Sequence, residues 1–394
     1  MNTFMKIRAS SPVLRVGLIC LTILGAFVIK AAYGAELTVG MSTALSGPVS
    51  ALGRGMKQGI EAHFKKVNDA GGVNGHTLRL VALDDSYQPD PAVSNVHRLI
   101  DLDQSLAIIG NVGTPTASVT VPIVNDKQVL LFGPFTGAGL LRRSPPDRYV
   151  INYRASYAEE TAAMIQGLLK LGIKPQQIAF FTQEDAYGDS GYEGGIKALR
   201  AVGYKDTGKL VHGRYKRNTL NVEDGLITIL DAKIKPRAII MVGAYAPCAK
   251  FIKLAKKLLP GTLFLNVSFV GSDALAAALG GDGEGVIITQ VVPHYASDLP
   301  GVVEYRQALG KYAPDAAPGF VSLEGYLVAK IFAEGLKRMG NPPSRESVVD
   351  AIESLKDLDI GIGITLTYSK TEHQGSHKVW ATAIKEGKFV PLDW

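Results

Sequence analysis

Three groups of residues carry types and spacings that could do chemistry. Gly53, Gly55 and Gly59 follow an apolar run at Leu37–Met41, in the manner of the glycines that let backbone approach a pyrophosphate at a helix N-terminus. The third glycine is one position off that spacing, and turn and packing roles account for all three. Gly188, Asp189, Ser190 and Gly191 mimic a serine-hydrolase nucleophile segment, but that chemistry needs a histidine base and an aspartate, and this segment opens a helical stretch after an apolar run. His373 and His377 are four apart, as metal ligands on a helix would be. Gly375 between them breaks a helix, so they read as exposed loop histidines. Lys250, Lys253, Lys256 and Lys257 lie opposite Phe251, Leu254, Ala255 and Leu258, a solvated helix face. No base, nucleophile or metal set converges, so the reading is a non-enzyme with no catalytic residue, no metal and no cofactor.

The remaining candidates are loops rich in hydroxyls and glycines: 42–48, 110–116, 133–139, 185–190 and 243–247. Each follows a short apolar run, and an amphipathic stretch of about 12 to 18 residues follows most of them. This alternation builds a parallel sheet covered by helices. In such sheets the crevice beyond the carboxyl ends of the strands is where ligands bind. Expected strands are 37–41, 78–84, 107–109 and 129–132 in a first unit, and 178–182, 209–211, 238–242 and 263–265 in a second. Three helices near 302–311, 321–339 and 345–354, then strands near 364–366 and 378–383, are too few to form a third unit. They are read as completing both earlier ones, which makes the chain cross between two lobes three times.

At the N-terminus, Lys6, Arg8 and Arg15 precede an uncharged apolar run of about 14 residues, Val16–Ile29, with small residues at 31–35. That pattern is a cleavable secretory signal over 1–34, too short to span a membrane, and it places the protein in the periplasm. Its removal takes away Lys6, Arg8, Arg15 and Lys30 but no acid, so 42 bases against 36 acids become 38 against 36. The basicity belongs to the leader, and no electrostatic footprint for nucleic acid remains. Cys248 is then the only cysteine, a small buried hydrophobe with no disulfide partner.

Four motifs give the loops a family. The SGP turn at Ser46, the N-x-x-GG-V-NG turn from Asn68, the DD-x-x-x-P-x-x-A run from Asp84 and the Y-G-x-x-G element at Tyr187 sit in a chain that, over 36–394, resembles the leucine/isoleucine/valine-binding proteins of bacterial ABC transporters. The resemblance implies an α/β fold of two doubly wound parallel-sheet lobes joined by three crossovers, the type I periplasmic-binding fold. Lobe I would hold 36–152 plus 292–370 and lobe II 153–291 plus 371–394. Carried over position by position, the ligand-carboxylate contact falls on Thr114, with Gly113 and Thr116 beside it, and the second carboxylate-and-amine contact segment on Phe135, Thr136 and Gly137, with Ser46 of the first strand-end loop also counted as ligand-binding. The pocket tyrosines fall on Tyr187 and Tyr245, and the tail aromatic falls on Phe320. The indole that closes the pocket in several members is replaced by Leu52.

One position departs from the pattern. The acid that pairs the ligand's α-ammonium falls at or beside Ser268, and a buried ammonium without a carboxylate costs several kcal/mol. Unless Asp185, Asp273 or Glu324 takes over, a carboxylate lacking the amine, or a neutral amide, competes with an amino acid. The implied protein is a monomer that binds a small-molecule solute and hands it to ABC transporter permease subunits. A sensor of the same solute shares every feature used, and an exported α/β enzyme is the more distant rival.

Overall fold

The computed structural model describes Met1 and residues 34–340 and 342–393. The expected signal peptide, with Cys20, lies almost wholly outside the described residues. Among them, no helix is long and apolar enough to cross a membrane.

The first sheet is made of β1 (Leu37–Thr43), β2 (Leu78–Asp84), β3 (Ala107–Ile109), β4 (Leu130–Phe132) and β5 (Val150–Ile151), in the order β2-β1-β3-β4-β5 and parallel throughout. The register sets Val39 beside Leu80 and Ala107. Runs such as Ala107–Ile109 and Leu130–Phe132 are buried at every position, because helices cover both faces of a parallel sheet. These are α1 (Ser50–Asp69), α2 (Pro89–His97) and α3 (Thr114–Asp126).

The second sheet repeats the plan. After α4 (Tyr157–Lys170) come β6 (Ile178–Gln183), α5 (Ala186–Ala201), β7 (His212–Tyr215), α6 (Glu223–Leu230), β8 (Ala238–Val242), α7 (Tyr245–Leu258), β9 (Leu263–Asn266), α8 (Ser272–Leu279) and β10 (Ile287–Gln290). The order β7-β6-β8-β9-β10 matches that of the first sheet strand for strand. In each sheet the order reverses beside its first strand, and that switch point opens a crevice at the carboxyl ends.

The tail then divides. Helices α9 (Pro300–Tyr312), α10 (Phe320–Lys337) and α11 (Arg345–Glu353) return to the first sheet, with a small antiparallel pair of β11 (Leu358–Asp359) and β12 (Thr365–Leu366). Helix α10 is apolar nearly all round and lies buried against α1. A Cβ on Gly59 would collide with the Ser322 carbonyl, and one on Gly325 with that of Met56. Gly55 and Gly59 therefore serve close helix packing, while Gly53 lets the chain approach the Ala44 carbonyl of the preceding loop. The chain finally crosses back to add β13 (Trp380–Lys385) and β14 (Lys388–Pro391), antiparallel at one edge of the second sheet.

Four expectations need correction. The strand expected at 209–211 is a short turn, and β7 forms instead at His212–Tyr215, where buried Gly213 and Tyr215 alternate with half-buried residues. The second lobe is not wholly parallel, owing to β13 and β14. Helix α8 and strand β14 were not anticipated. His373 is buried, its ring bridging the Val150 carbonyl (3.0 Å) and Glu353 (3.1 Å), while His377 stays exposed beside Glu159. His373 helps fasten the third crossing strand to the first, where Asn152 and Gln374 pair in parallel.

Candidate ligand-binding cleft

Loops from the two switch points face each other across the seam between the sheets. On the first-sheet side, Gly113 turns the chain at φ +113°, a conformation side chains resist, so that Thr114 opens α3. Its Oγ1 lies 2.7 Å from that of Thr136, in the loop after β4, and both residues are fully buried. Thr116 is buried but turned inward, donating to the Val112 carbonyl (2.8 Å). Gly137 packs so closely on α4 that an added Cβ would lie 2.7 Å from the Tyr157 backbone nitrogen, and its carbonyl accepts that N–H at 2.8 Å.

From the second-sheet side come Tyr157, Tyr187 and Phe269. Tyr187 sits in the first turn of α5, which Asp185 caps, and donates to the Gly243 carbonyl (3.2 Å). Phe269, between β9 and α8, reaches across the seam. Its ring centroid is 4.5 Å from that of Tyr187, 5.3 Å from Phe135, 6.2 Å from Tyr87 and 6.4 Å from Tyr157. All five rings are at most 1% exposed. The Tyr157 hydroxyl is directed toward Thr114 and Thr136 and makes no hydrogen bond among the described residues. Burial pushes its pKa up to about 12, with Arg154 opposing.

At the end of the seam beside the crossing strands lies a buried charge network. Arg154, on the first crossing strand, stacks over Phe135 at 4.7 Å from its centroid. Its Nη2 donates to Ser268 Oγ and lies 3.5 Å from Glu160 Oε1, while Nη1 lies 3.5 Å from Glu324. Glu160 also accepts from the Ser268 N–H (2.7 Å), Ser268 Oγ (3.0 Å) and Thr289 Oγ1 (2.5 Å). Burial raises the pKa of Glu160, and Arg154 and these donors oppose it. Glu324 is pushed up to about 7 by burial, with Arg154 acting the other way. Arg142 lies alongside, donating to the Arg154 (2.9 Å) and Ala138 (3.0 Å) carbonyls.

At the mouth, Leu52 and Tyr245 flank Gly271. Asp273, whose pKa burial raises to about 6, accepts the Phe320 N–H at 3.1 Å at the start of α10. Phe320 packs edge-on against Tyr295 and His294 rather than against the Phe269 cluster. A cavity of about 580 Å³ borders this group.

The structure thus gathers Thr114, Phe135, Thr136, Gly137, Tyr187 and Ser268 around one point. Tyr245 and Phe320 stand at the mouth. Ser46 stands apart, its hydroxyl tied to Asp84 (2.5 Å) and Ser86 (2.8 Å). Of the acids considered as stand-ins at Ser268, Asp185 caps α5, Asp273 caps α10, and Glu324 alone faces Arg154. Sequence reasoning missed Arg154, Tyr157, Glu160 and Phe269. The usable signal for Arg154 was its place two residues beyond the expected end of lobe I's first segment, where the chain first changes lobe.

Residues 36–388 match the family described as periplasmic binding protein. The Leu/Ile/Val-binding protein homolog 3 of Brucella melitensis is 26% identical over 371 residues, covering 92% of this chain and 95% of that one. A crystal structure of a possible leucine/isoleucine/valine-binding protein from Rhodopirellula baltica superposes with a TM-score of 0.90 at 46% identity, over 93% of this chain and 98% of the other. A branched-chain amino acid ABC transporter protein from Thermus thermophilus with bound valine shares the fold, with a TM-score of 0.80 at 21% identity over 91% and 95%. With the match spanning both sheets and all three crossings, the chain belongs to the periplasmic binding protein family.

Proposed function

We propose that the chain is the solute-binding component of an ABC transporter, exported to the periplasm by residues 1–34. It binds a small organic solute bearing a carboxylate and presents it to permease subunits without chemical change. Lobe I comprises 36–152 plus 292–370 and lobe II 153–291 plus 371–394, with the hinge in the three crossing strands.

The observation that carries this reading is the convergence of the paired Thr114 and Thr136 hydroxyls, from one sheet's switch-point loops, on the aromatic wall of Tyr157, Tyr187 and Phe269 from the other side. Hydroxyls beside a helix N-terminus suit an anionic group, and rings suit an apolar body. The relatives named for leucine, isoleucine and valine support a solute of that size. Closure is driven by contacts the solute makes better in the closed arrangement, and micromolar affinity, about 8 kcal/mol, suffices for capture and release.

The test is thermal shift against a panel of small carboxylates and amino acids. A ligand that binds only the native state raises the melting temperature with the logarithm of its concentration. No shift from any member of the panel would refute the proposal.

A further inference from the structure

We propose that Arg154 is the specificity-determining residue of the cleft: it receives the solute's carboxylate, and it selects a solute that carries no α-ammonium. This rests on the reading of the cleft as a carboxylate site and narrows it.

The argument begins with unpaired donors. Arg154 is fully buried, yet among the described residues its Nε has no partner and its Nη1 has no hydrogen bond, only the Glu324 carboxyl at 3.5 Å, and the buried Tyr157 hydroxyl has no hydrogen bond either. Buried polar groups are nearly always bonded, and a lost bond to a charged group is the costliest kind. The guanidinium lies over the Phe135 ring, and the Tyr157 hydroxyl is directed toward the Thr114–Thr136 pair in the adjoining loops. An acceptor-rich anion with a flat apolar body would satisfy them together, and a carboxylate is the natural partner of a guanidinium.

The surrounding charges then decide against an ammonium. The groups facing Arg154 are Glu160 from α4, Glu324 from α10, Arg142, and the phenols of Tyr157 and Tyr187. Glu160 lies where an ammonium partner would be wanted, beside Ser268, but three donors and Arg154 already occupy it. Burial pushes Glu324 up to about 7, so it is only partly charged at neutral pH, and what charge it carries already faces Arg154 Nη1 at 3.5 Å. An ammonium placed here would meet the guanidinium of Arg154, and that of Arg142 behind it, without a free carboxylate to offset either. The serine at 268 and the arginine at 154 act together, since the shorter side chain lets the guanidinium reach its hydroxyl.

Calorimetry with 4-methylpentanoate, 4-methylpentanamide, benzoate and leucine tests this on the purified protein. At least one of the acids should bind tenfold or more tighter than leucine, and the amide at least tenfold weaker than 4-methylpentanoate. Arg154→Lys, if its melt shows it folded, should lose tenfold or more for the acids. Leucine binding as tightly as 4-methylpentanoate, an amide within twofold of its acid, or a folded Arg154→Lys within twofold of the parent would each overturn the inference. Should that variant fail to fold, the acid-against-amide comparison on the parent decides alone. Tight leucine binding would leave the carboxylate reading standing, whereas binding of none of the four would remove that reading and this one with it.

Discussion

At the end of the seam beside the crossing strands, the proposed hinge, Arg154, Glu160 and Glu324 lie sealed among Tyr153, Phe135 and those strands. At the mouth, Leu52, Tyr245, Asp273 and Phe320 meet beside open cavities, and the polar contact there is a carboxylate on a helix N–H. The difference follows from what each end must do if the lobes move about the crossings. Groups beside a hinge keep their neighbours as the cleft opens, so a costly buried ion network is held intact. Groups at the mouth must part, so their contacts are few and individually weak. Breaking the hinge end should therefore cost stability, and altering the mouth should act mainly on binding.

The largest effect is expected from Arg154→Met. It removes the cation between two buried acids, and breaking such a pair from one side costs about 3–5 kcal/mol. Urea unfolding should show that loss, and a change below about 1 kcal/mol would mean the network is open to water and the contrast false.

Next is Glu324→Gln, whose effect depends on pH. Burial raises the folded pKa of Glu324 from 4.5 to about 7, so its contribution is fully present below about pH 4.5 and is lost as pH rises through 7. The glutamine variant should match the parent at pH 4 and exceed it at pH 8, by an amount on the order of 3 kcal/mol. In the parent, ionised Glu324 competes for Arg154, so affinity for a carboxylate should fall between pH 6 and pH 8. An affinity flat over that range in the parent would separate Glu324 from the ligand.

How much of this contrast was legible beforehand differs between backbone and site. Runs such as Ala238–Val242 and Leu130–Phe132 announce strands buried on both faces, because nothing polar interrupts them. The strand His212–Tyr215 has no such run, since it lies at the sheet edge and half its residues are partly exposed, and so its position was misread. Among site residues, Thr114, Thr136 and Gly137 stand in loops whose hydroxyls and glycines mark a strand's carboxyl end. Glu160 carries no local mark, and Arg154 is marked only by lying where the chain first changes lobe. Their burial depends on Ser268 and Thr289, more than 100 positions away in sequence, and a charged residue looks the same in sequence whether or not a distant partner buries it. Phe269 was likewise invisible as a site residue, because an aromatic in a loop is ordinary until the opposite lobe closes over it.

The two tyrosines read from the family pattern now sharpen the contrast rather than repeat each other. Tyr187 is fully buried, with its hydroxyl bonded and its ring between Tyr157 and Phe269. Tyr187→Ala should thus lower stability by about 3–5 kcal/mol, as truncations of large buried rings do, and abolish measurable binding. Tyr245 is half-buried at the mouth, so Tyr245→Ala should leave unfolding nearly unchanged and weaken binding by more than about 1 kcal/mol. Equal losses of stability from both would break the distinction between the ends.

The smallest expected effect, and the cleanest probe of the mouth, is Asp273→Asn. The carboxylate bridges the seam by accepting the Phe320 N–H, where the start of α10 favours negative charge. Asparagine keeps an oxygen acceptor at that cap and removes the charge. Because burial raises the folded pKa of Asp273 from 3.8 to about 6, its favourable contribution is complete below about pH 3.8 and is lost as pH rises through 6. The variant should therefore equal the parent at or below pH 3.8 and be more stable by about 1 kcal/mol at pH 8, less than the full shift implies because Asp273 is only partly buried and solvent screens its charge. Ligand affinity should change by less than threefold, since the bridge is retained. A loss of stability at pH 8 would show instead that the charge on Asp273 holds the mouth shut, and the mouth would then resemble the hinge end in kind and differ from it only in degree.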